Sequence, residues 1–418
     1  MAIRRRVDIG PTGPNTRPRL GGPCFPLSDS IVFAYLTTFI DAVDLGQLWA
    51  CSRGVHTLVV PNLVPRVEWG PEVFTWRRDC PMFRYVKCMR TWDPRSETAS
   101  FNGDLSPGML PMNLERLRLG HAFRDHPLVV GALPPQLTHL RFGREYNHPV
   151  DEGVLPASLT NLRFGAEFNQ PLVAGALPPA LTHLHLGSLF SQPLLFGVLP
   201  AGLTHLYISC NFNQYLGVTV LPAGLEVVCF GHEYDRALVV GVLPAGLIDI
   251  EFGYKFNQPL EVGVLPPSLI DISFGYRFNQ PLALDVLSDG LLRLMFDQDG
   301  SLFNQPLEVG ALPVSLTHLF FGDNFNQPLD VGVLPPNLTH LHFGAEFNRV
   351  LVVGSLPASL KKLTFGEGFL EVLQADVLPV NLETVKFDDD ERNYFAPGVQ
   401  PPNGTRVTCD NEYPAFEL

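Results

Sequence analysis

The chain has 418 residues and a formal net charge of −13, which disfavours broad binding to a nucleic-acid phosphate backbone. No apolar run reaches the roughly 18 residues of a membrane helix, and the seven scattered cysteines form no Cys-x-x-Cys pair, which argues against a disulfide framework or a zinc knuckle. We therefore expect a folded intracellular protein of the cytoplasm, with the nucleus as the alternative. Its 30 phenylalanines, 37 glycines and 39 prolines need a structural reason.

The first two segments differ in predicted structure. Residues 1–22 are predicted to be a flexible tail, because the arginines at positions 4–6 are not followed by the apolar segment of a secretory signal. Residues 23–98 are predicted to be a small α-helical region. Ser28 and Ser30 are candidate N-caps, apolar residues follow at helical spacing from Ile31 to Ile40, and a second short amphipathic helix is expected after Asp44.

This helical segment resembles an F-box. The motif is carried by Pro26-Leu27, Tyr35-Leu36, Phe39-Ile40-Asp41, Asp44-Leu45 and Leu48. The resemblance implies docking onto the adaptor of a cullin-type (SCF) ubiquitin ligase, through Pro26, Leu27, Ile31, Tyr35, Leu36, Phe39, Ile40, Leu45 and Leu48. Two features depart from the motif: its opening Leu-Pro is inverted, and Val55 or His56 stands near the place of a frequent tryptophan. The alternative is a helical cap that only shields the first repeat from solvent.

From residue 99 to 388 the chain repeats a unit of about 22 residues. Leu-Pro recurs at Leu110, Leu133, Leu155, Leu177, Leu199, Leu221, Leu243, Leu265, Leu312, Leu334, Leu356 and Leu378, with Leu287-Ser288 filling one gap. About thirteen units predict a solenoid, because one unit cannot bury its own apolar face and must stack on its neighbours. The alternation in Leu-x-Leu or Leu-x-Phe predicts one short parallel strand per turn and a sheet along one face. Residues 389–418 break the period and are expected to cap the last turn.

Three further columns of the unit carry structural predictions. An aromatic residue opens each unit, as Phe in eleven copies and Tyr in two, which predicts a stacked spine opposite the sheet. Asn follows it in nine units, which predicts a ladder of amide hydrogen bonds between turns. Glycine marks two bends, and both are expected to be left-handed. The residues that replace glycine at these bends are chiefly Asp285, Asp297, Asp376 and Asp388.

The whole unit resembles the FNIP repeat, a 22-residue relative of the leucine-rich repeat. Residues 325–344 read Phe-Asn-Gln-Pro-Leu-x-x-Gly-x-Leu-Pro-x-x-Leu-x-x-Leu-x-Phe-Gly, and the resemblance covers about residues 101–388. It implies an interaction scaffold without catalytic residues common to the family.

The outward strand positions are expected to line the concave face of such a solenoid and to bind a partner. They are predicted to be basic first, then rich in His and Tyr, then acidic, and finally aromatic and rich in His again. The predicted partner-binding residues are Arg116, Arg118, His139, Arg141, Arg163, His183, His185, His205, Tyr207, Asp249, Glu251, Asp271, His318, Phe320, His340 and His342. We expect a protein or peptide target whose acidic or phosphorylated groups bind Arg116, Arg118, Arg141 and Arg163.

Seven of the twelve histidines lie on this predicted face. His183, His185 and His205 could meet on two adjacent strands, but Thr-His-Leu recurs as part of the unit and no carboxylate or cysteine joins them, so no metal site is predicted. These histidines are instead expected to change partner binding near pH 6.

Neither catalytic activity nor a cofactor is predicted. The chain contains no Gly-x-Ser-x-Gly, no P-loop, no dinucleotide fingerprint and no His-Glu-x-x-His. Two functions remain. The first is a substrate receptor that brings a target to a ubiquitin ligase, and the alternative is a scaffold or binding module with no link to a ligase.

Overall fold

The computed structural model describes residues 66–69, 88–91, 105–110, 112–120, 123–124, 127–297, 300–388, 393–402 and 404–409. The chain divides into two compact units, Met1–Ser52 and Arg53–Leu418, and every described residue belongs to the second. The predicted tail and the predicted adaptor-binding residues between Pro26 and Leu48 lie outside the described residues.

The described residues form one parallel sheet of sixteen strands, in which each strand pairs with the next along the chain. The strands are β1 (Arg66–Trp69), β2 (Cys88–Thr91), β3 (Arg116–Arg118), β4 (His139–Arg141), β5 (Asn161–Arg163), β6 (His183–His185), β7 (His205–Tyr207), β8 (Val227–Cys229), β9 (Asp249–Glu251), β10 (Asp271–Phe274), β11 (Arg293–Phe296), β12 (His318–Phe320), β13 (His340–His342), β14 (Lys362–Thr364), β15 (Thr384–Phe387) and β16 (Arg406–Cys409). Because each turn contributes one strand in unbroken order, the predicted solenoid and its parallel sheet are confirmed.

The sheet extends past both ends of the predicted repeat range of 99–388. Strands β1 and β2 lie within residues 23–98, where a helical region was predicted, so helix is the wrong assignment for these eight residues. Strand β16 lies within the predicted C-terminal cap and pairs with β15. These outer turns keep the strand but lack the Leu-Pro corner of the repeat, and that corner was the signal on which the boundaries rested.

The core contains a double column of aromatic rings beside its columns of leucine and valine. The aromatic rings at the start of successive units stack with centroids 5.9–6.5 Å apart and form the stacked spine that the sequence predicted. Each spine ring also lies 3.7–4.3 Å from the aromatic residue that ends the strand of the same turn, where such a residue is present. The spine therefore packs beside the carboxyl ends of the strands, and its predicted place opposite the sheet is wrong.

The predicted asparagine ladder is present and connects one turn to the next. Asn147 accepts a hydrogen bond on Oδ1 from the backbone N–H of Asn169 at 2.9 Å, and Asn257 accepts one from Asn279 at the same distance. A glutamine one position later, such as Gln280, donates its side-chain amide to the same Oδ1 atom at 3.1 Å. The ladder satisfies backbone donors at a bend where the strands supply no acceptor.

The two glycine columns serve different purposes. The column before the Leu-Pro corner has positive φ, with Gly263 at +82°, and the non-glycine residues there are Thr219, Asp285 and Asp376. The column after the strand does not have positive φ. A Cβ atom on Gly253 would stand only 1.9 Å from the carbonyl oxygen of Gly231 in the previous turn. Glycine suits this second bend because two backbones approach closely, so the predicted left-handed conformation is wrong there.

The two bends are expected to respond differently to substitution. Gly253→Ala places a methyl group against fixed backbone and should lower the free energy of unfolding by more than about 3 kcal/mol. Asn tolerates positive φ, and a Cβ atom at Gly263 would lie in ordinary van der Waals contact, 3.8 Å from Val240 Cγ2, so Gly263→Asn should cost about 1 kcal/mol or less. Urea denaturation followed by circular dichroism measures both. Equal losses for the two variants would contradict the assignment.

Candidate partner-binding face

The strand register places all sixteen predicted partner-binding residues on one surface. The outward side chains of β3–β15 form two columns, which we call the strand face. The first column runs from Arg116 through His139 and Asn161 to Thr384, and the second from Arg118 through Arg141 and Arg163 to Lys386. The residue between the two columns in each strand is buried. The register therefore gathers the sixteen predicted residues in these two columns, and their role in partner binding stays a prediction.

Successive turns lie closer together at the strand face than in the core. Stacked rings on the face have centroids 4.2 Å apart for His183 and His205, and 3.9 Å apart for His185 and Tyr207. The spacing rises to 5.2–6.0 Å between strand-end phenylalanines and to 5.9–6.5 Å along the spine. The turns converge toward the strand face, which is therefore their concave side.

The first turns of the strand face carry closely spaced arginines. Arg118, Arg141 and Arg163 are Cα partners on β3, β4 and β5. Partial burial and the charges of Arg118 and Arg163 lower the pKa of Arg141, which shows that the three cations influence one another. In the strand register, Arg90 of β2 is the Cα partner of Arg118. Sequence reasoning missed this register position because the segment around β2 does not match the repeat unit.

Five histidines of the first column share one local geometry with the threonine that precedes each of them. The Nδ1 atom of His183 lies 2.9 Å from the Oγ1 atom of Thr182. That hydroxyl also bonds the carbonyl oxygen of Thr160 in the preceding turn, at 3.1 Å. The same pair of contacts occurs in the four other dyads, Thr138-His139, Thr204-His205, Thr317-His318 and Thr339-His340.

This geometry favours one tautomer of the histidines. A threonine hydroxyl has one proton, and the backbone carbonyl can only accept, so the contact to the carbonyl is made when the hydroxyl donates to it. The contact to histidine is then made when Nδ1–H donates to Oγ1. In the neutral ring, Nε2 is left as an unprotonated hydrogen-bond acceptor. The first column of the strand face therefore offers acceptors, whereas the arginines of the second column offer donors.

Two histidines of the strand face, His185 and His340, stay neutral well below pH 7. Burial, followed by neighbouring positive charges, lowers the pKa of His185 and His340 to about 4, and it also lowers those of His139, His183 and His318. For His185 and His340, the change in partner binding that was predicted near pH 6 is therefore expected at lower pH. The reason is that a sheet packed at strand spacing desolvates even outward imidazoles.

One predicted contact residue is not accessible. His342 is only 8% exposed, burial lowers its pKa to about 4, and no described group lies within hydrogen-bond distance of its Nδ1 atom. It is therefore better described as part of the packing between β12 and β14 than as a surface residue.

The middle of the strand face is acidic, but its carboxylates are not equivalent. Asp271 forms a bidentate ion pair with Arg293. Asp249 is half-buried, and burial, together with Asp271 and Glu251, raises the pKa of its carboxyl group. Burial and the same Glu251 raise the pKa of the Cys229 thiol. A thiol with a raised pKa is a poor nucleophile, so this cluster does not favour covalent chemistry.

In the described part of the chain, no three His, Cys, Asp or Glu side chains come together in an arrangement that could hold a metal ion. The same residues include no helix long and apolar enough to cross a bilayer.

Comparisons with known proteins agree with the fold. A family model described as FNIP Repeat matches residues 124–167, 168–211, 212–255, 256–298, 303–346 and 347–390. Among solved structures, CroV588, described as a novel circular LRR protein, is 33% identical with a TM-score of 0.66 over 85% of this chain. The chain spans only 57% of the length of CroV588. No curated protein matches the chain.

Two bacterial leucine-rich-repeat structures are more distant. YopM from Yersinia enterocolitica is 20% identical with a TM-score of 0.44, over 78% of this chain and 73% of its own. An internalin (inlF) from Listeria monocytogenes is 14% identical with a TM-score of 0.43, over 74% of this chain and 85% of its own. Neither likeness carries an argument about function.

The tautomer of the column can be tested in the protein without a partner. Replacing Thr182 by Val removes the acceptor of the Nδ1–H group and should shift His183 toward the Nε2–H tautomer. Ring ¹⁵N shifts measured by NMR at pH 7.5 distinguish the two tautomers. The control Thr182→Ser keeps the hydroxyl and should leave the shifts unchanged. A wild-type His183 that carries its proton on Nε2 would contradict the assignment.

Proposed function

The chain belongs to the FNIP repeat family, and we propose that it is a protein-interaction receptor whose strand face binds a protein or peptide target. The observation that carries this proposal is a contrast within the unit. The inward positions repeat almost unchanged, because stacking requires them to, whereas the outward positions change from Arg to His, Tyr, Asp and Lys along the sheet. Stacking alone needs no such variety, so the variety indicates adaptation to a contact.

The same observation favours binding over catalysis. The strand face offers charged groups and hydrogen-bond acceptors in long columns, and its one cysteine, Cys229, has a raised pKa. We propose a receptor with no chemistry of its own. In that role, affinity comes from complementary charges and hydrogen bonds distributed over many turns.

The finer part of the proposal is a role as substrate receptor of a cullin-type ubiquitin ligase inside the cell. Its support is the F-box-like order of residues between Pro26 and Leu48. These residues belong to the unit Met1–Ser52, whereas the strand face belongs to the unit Arg53–Leu418. A receptor of this kind needs one region for the adaptor and another for the target, and this division agrees with that need.

The adaptor link is tested by co-purification. The full chain, co-expressed with the ligase adaptor, is expected to retain it on an affinity column. Changing Leu36 and Leu45 together to Ala should abolish that retention, because both are apolar residues of the F-box-like motif. As the control, the double variant Leu195→Ala and Val309→Ala changes two exposed apolar residues of the repeats and should retain the adaptor. If the unaltered chain never retains the adaptor, a scaffold without a ligase link is the better description.

The target-binding role is tested by removing the basic end of the strand face. Affinity capture from cells with quantitative mass spectrometry should show loss of partner when Arg116, Arg118, Arg141 and Arg163 are all changed to Ser. A matched control removes four cations outside the two columns, namely Arg124, Arg277, Arg349 and Lys361. Partner recovery that is the same for both variants would overturn the assignment of the face.

A further inference from the structure

A cleft opens beside the arginines of the strand face. It lies at the carboxyl ends of β3–β7 and has a volume of about 370 Å³. One wall is the second column, from Arg118 to Tyr207, and the other is the row of bends that includes Gly143, Gly165 and Gly187. The bend residues that follow these glycines, among them Arg144, Ala166 and Ser188, complete this wall.

Two arginines of the cleft, Arg141 and Arg163, carry charge that no carboxylate of the described residues pairs. Other arginines are paired: Arg144, also in the lining, lies 3.7 Å from Glu167, and Arg293 bonds Asp271 outside the cleft. Within the described residues, no carboxylate lies within ion-pair distance of Arg141 or Arg163. Adjacent parallel strands are about 4.8 Å apart, so the like charges repel one another, and a bound anion would relieve that repulsion.

The rest of the lining favours an anion with several oxygens. His185 has a pKa of about 4, so at neutral pH it adds no charge to the cleft. Burial and the nearby carboxylates raise the pKa of Tyr207, which keeps its hydroxyl as a donor. A carboxylate has one charge and two oxygens, enough for one guanidinium. A phosphoryl group has close to two charges and three oxygens, enough for Arg118, Arg141 and Arg163 together.

We propose that this cleft binds a phosphoryl group carried by a side chain of the target protein. The inference rests on the proposed function of the strand face and specifies the chemistry of the target there. It assigns Arg141 and Arg163 as the principal ligands, with Arg118 beside them. Arg90 occupies the next register position toward β2.

The charge pattern along the sheet favours a single phosphoryl group over a nucleic acid. The second column is basic through β5 and acidic by β9, where Glu251 stands, about 19 Å farther at the spacing of parallel strands. A nucleic-acid strand extended along the sheet would bring further phosphates toward Asp249 and Glu251. The repulsion between them opposes that mode of binding.

The proposal is tested with small probes on the full chain. Isothermal titration at low ionic strength compares inorganic phosphate, O-phosphoserine and acetate. We expect both phosphates to bind at least about tenfold more tightly than acetate, and Arg141→Gln or Arg163→Gln to weaken phosphoserine binding by about tenfold or more. Arg293→Gln, which removes an arginine already paired with Asp271, should leave it unchanged. Arg141→Lys, which keeps the charge but not the paired donors, should fall between wild type and Arg141→Gln.

The pH dependence adds an independent readout. Phosphoserine gains its second charge near pH 6, while the guanidinium groups that face it, Arg118, Arg141, Arg144 and Arg163, remain charged and His185 remains neutral. Affinity for phosphoserine should therefore rise between pH 5 and pH 7, and affinity for acetate should not.

Several outcomes would overturn the inference. They are phosphate binding no tighter than that of acetate, phosphate binding unaffected by Arg141→Gln and Arg163→Gln, and a single-stranded oligonucleotide that binds more tightly than phosphoserine. If phosphate fails to bind while the fourfold arginine variant still loses its protein partner, the strand face keeps its proposed function and only the phosphoryl specificity is wrong. Circular dichroism of each variant verifies that the fold is retained.

Discussion

The spacing of parallel strands is the constraint on which the rest of this structure depends. Backbone hydrogen bonds hold successive turns about 4.8 Å apart at the sheet. The spine rings stack at 5.9–6.5 Å, where aromatic pairs still attract. At the second bend the spacing leaves no room for a Cβ atom, as the 1.9 Å approach at Gly253 shows. The glycines of the second bend, the phenylalanines of the spine and the asparagines of the ladder all depend on this single distance.

The same spacing determines the chemistry of the strand face. Side chains of one column stand one strand apart, which brings His183 within 4.2 Å of His205 and aligns Arg141 with Arg163. Such proximity desolvates imidazoles and concentrates like charge, so the pKa values of outward residues shift although the residues are only half-buried. Stability and binding chemistry are therefore not independent in this protein.

Much of the fold could be predicted from the sequence because a period of 22 residues fixes which residues are in register. That period alone placed His139 beside Asn161 and Asp249 beside Asp271, as the strand pairing confirms. The period could not separate the two roles of glycine. A close approach between backbones and a positive φ both select glycine, so the two bends look alike in the sequence. The period also could not predict β1 and β2, because the segments that contain these strands lack the Leu-Pro corner by which the repeat was recognised.

The candidate site was only partly predictable, for a similar reason. Which residues face outward follows from alternation along a strand, but burial and tautomer depend on neighbours in adjacent turns. His342 is enclosed by its neighbours and unavailable, although His340 in the same strand is half-exposed. The recurring Thr-His pair could be recognised as part of the unit, yet its meaning required the carbonyl of the preceding turn, which accepts the only hydroxyl proton.

The arrangement of charge gives the strand face a direction. Its basic end at β3–β5 and its carboxylates at β9 and β10 are separated by β6–β8, where His183 and His205 of the first column pair with the preceding threonines. Asp271 is already paired with Arg293, so Asp249 and Glu251 carry most of the negative character there. A target whose anionic group binds the arginines places its hydrogen-bond donors near the histidines of the following strands. In the reverse orientation its anionic group would lie near Asp249 and be repelled. Unequal ends therefore select one orientation of the target, a selection that a uniformly repeated surface could not make.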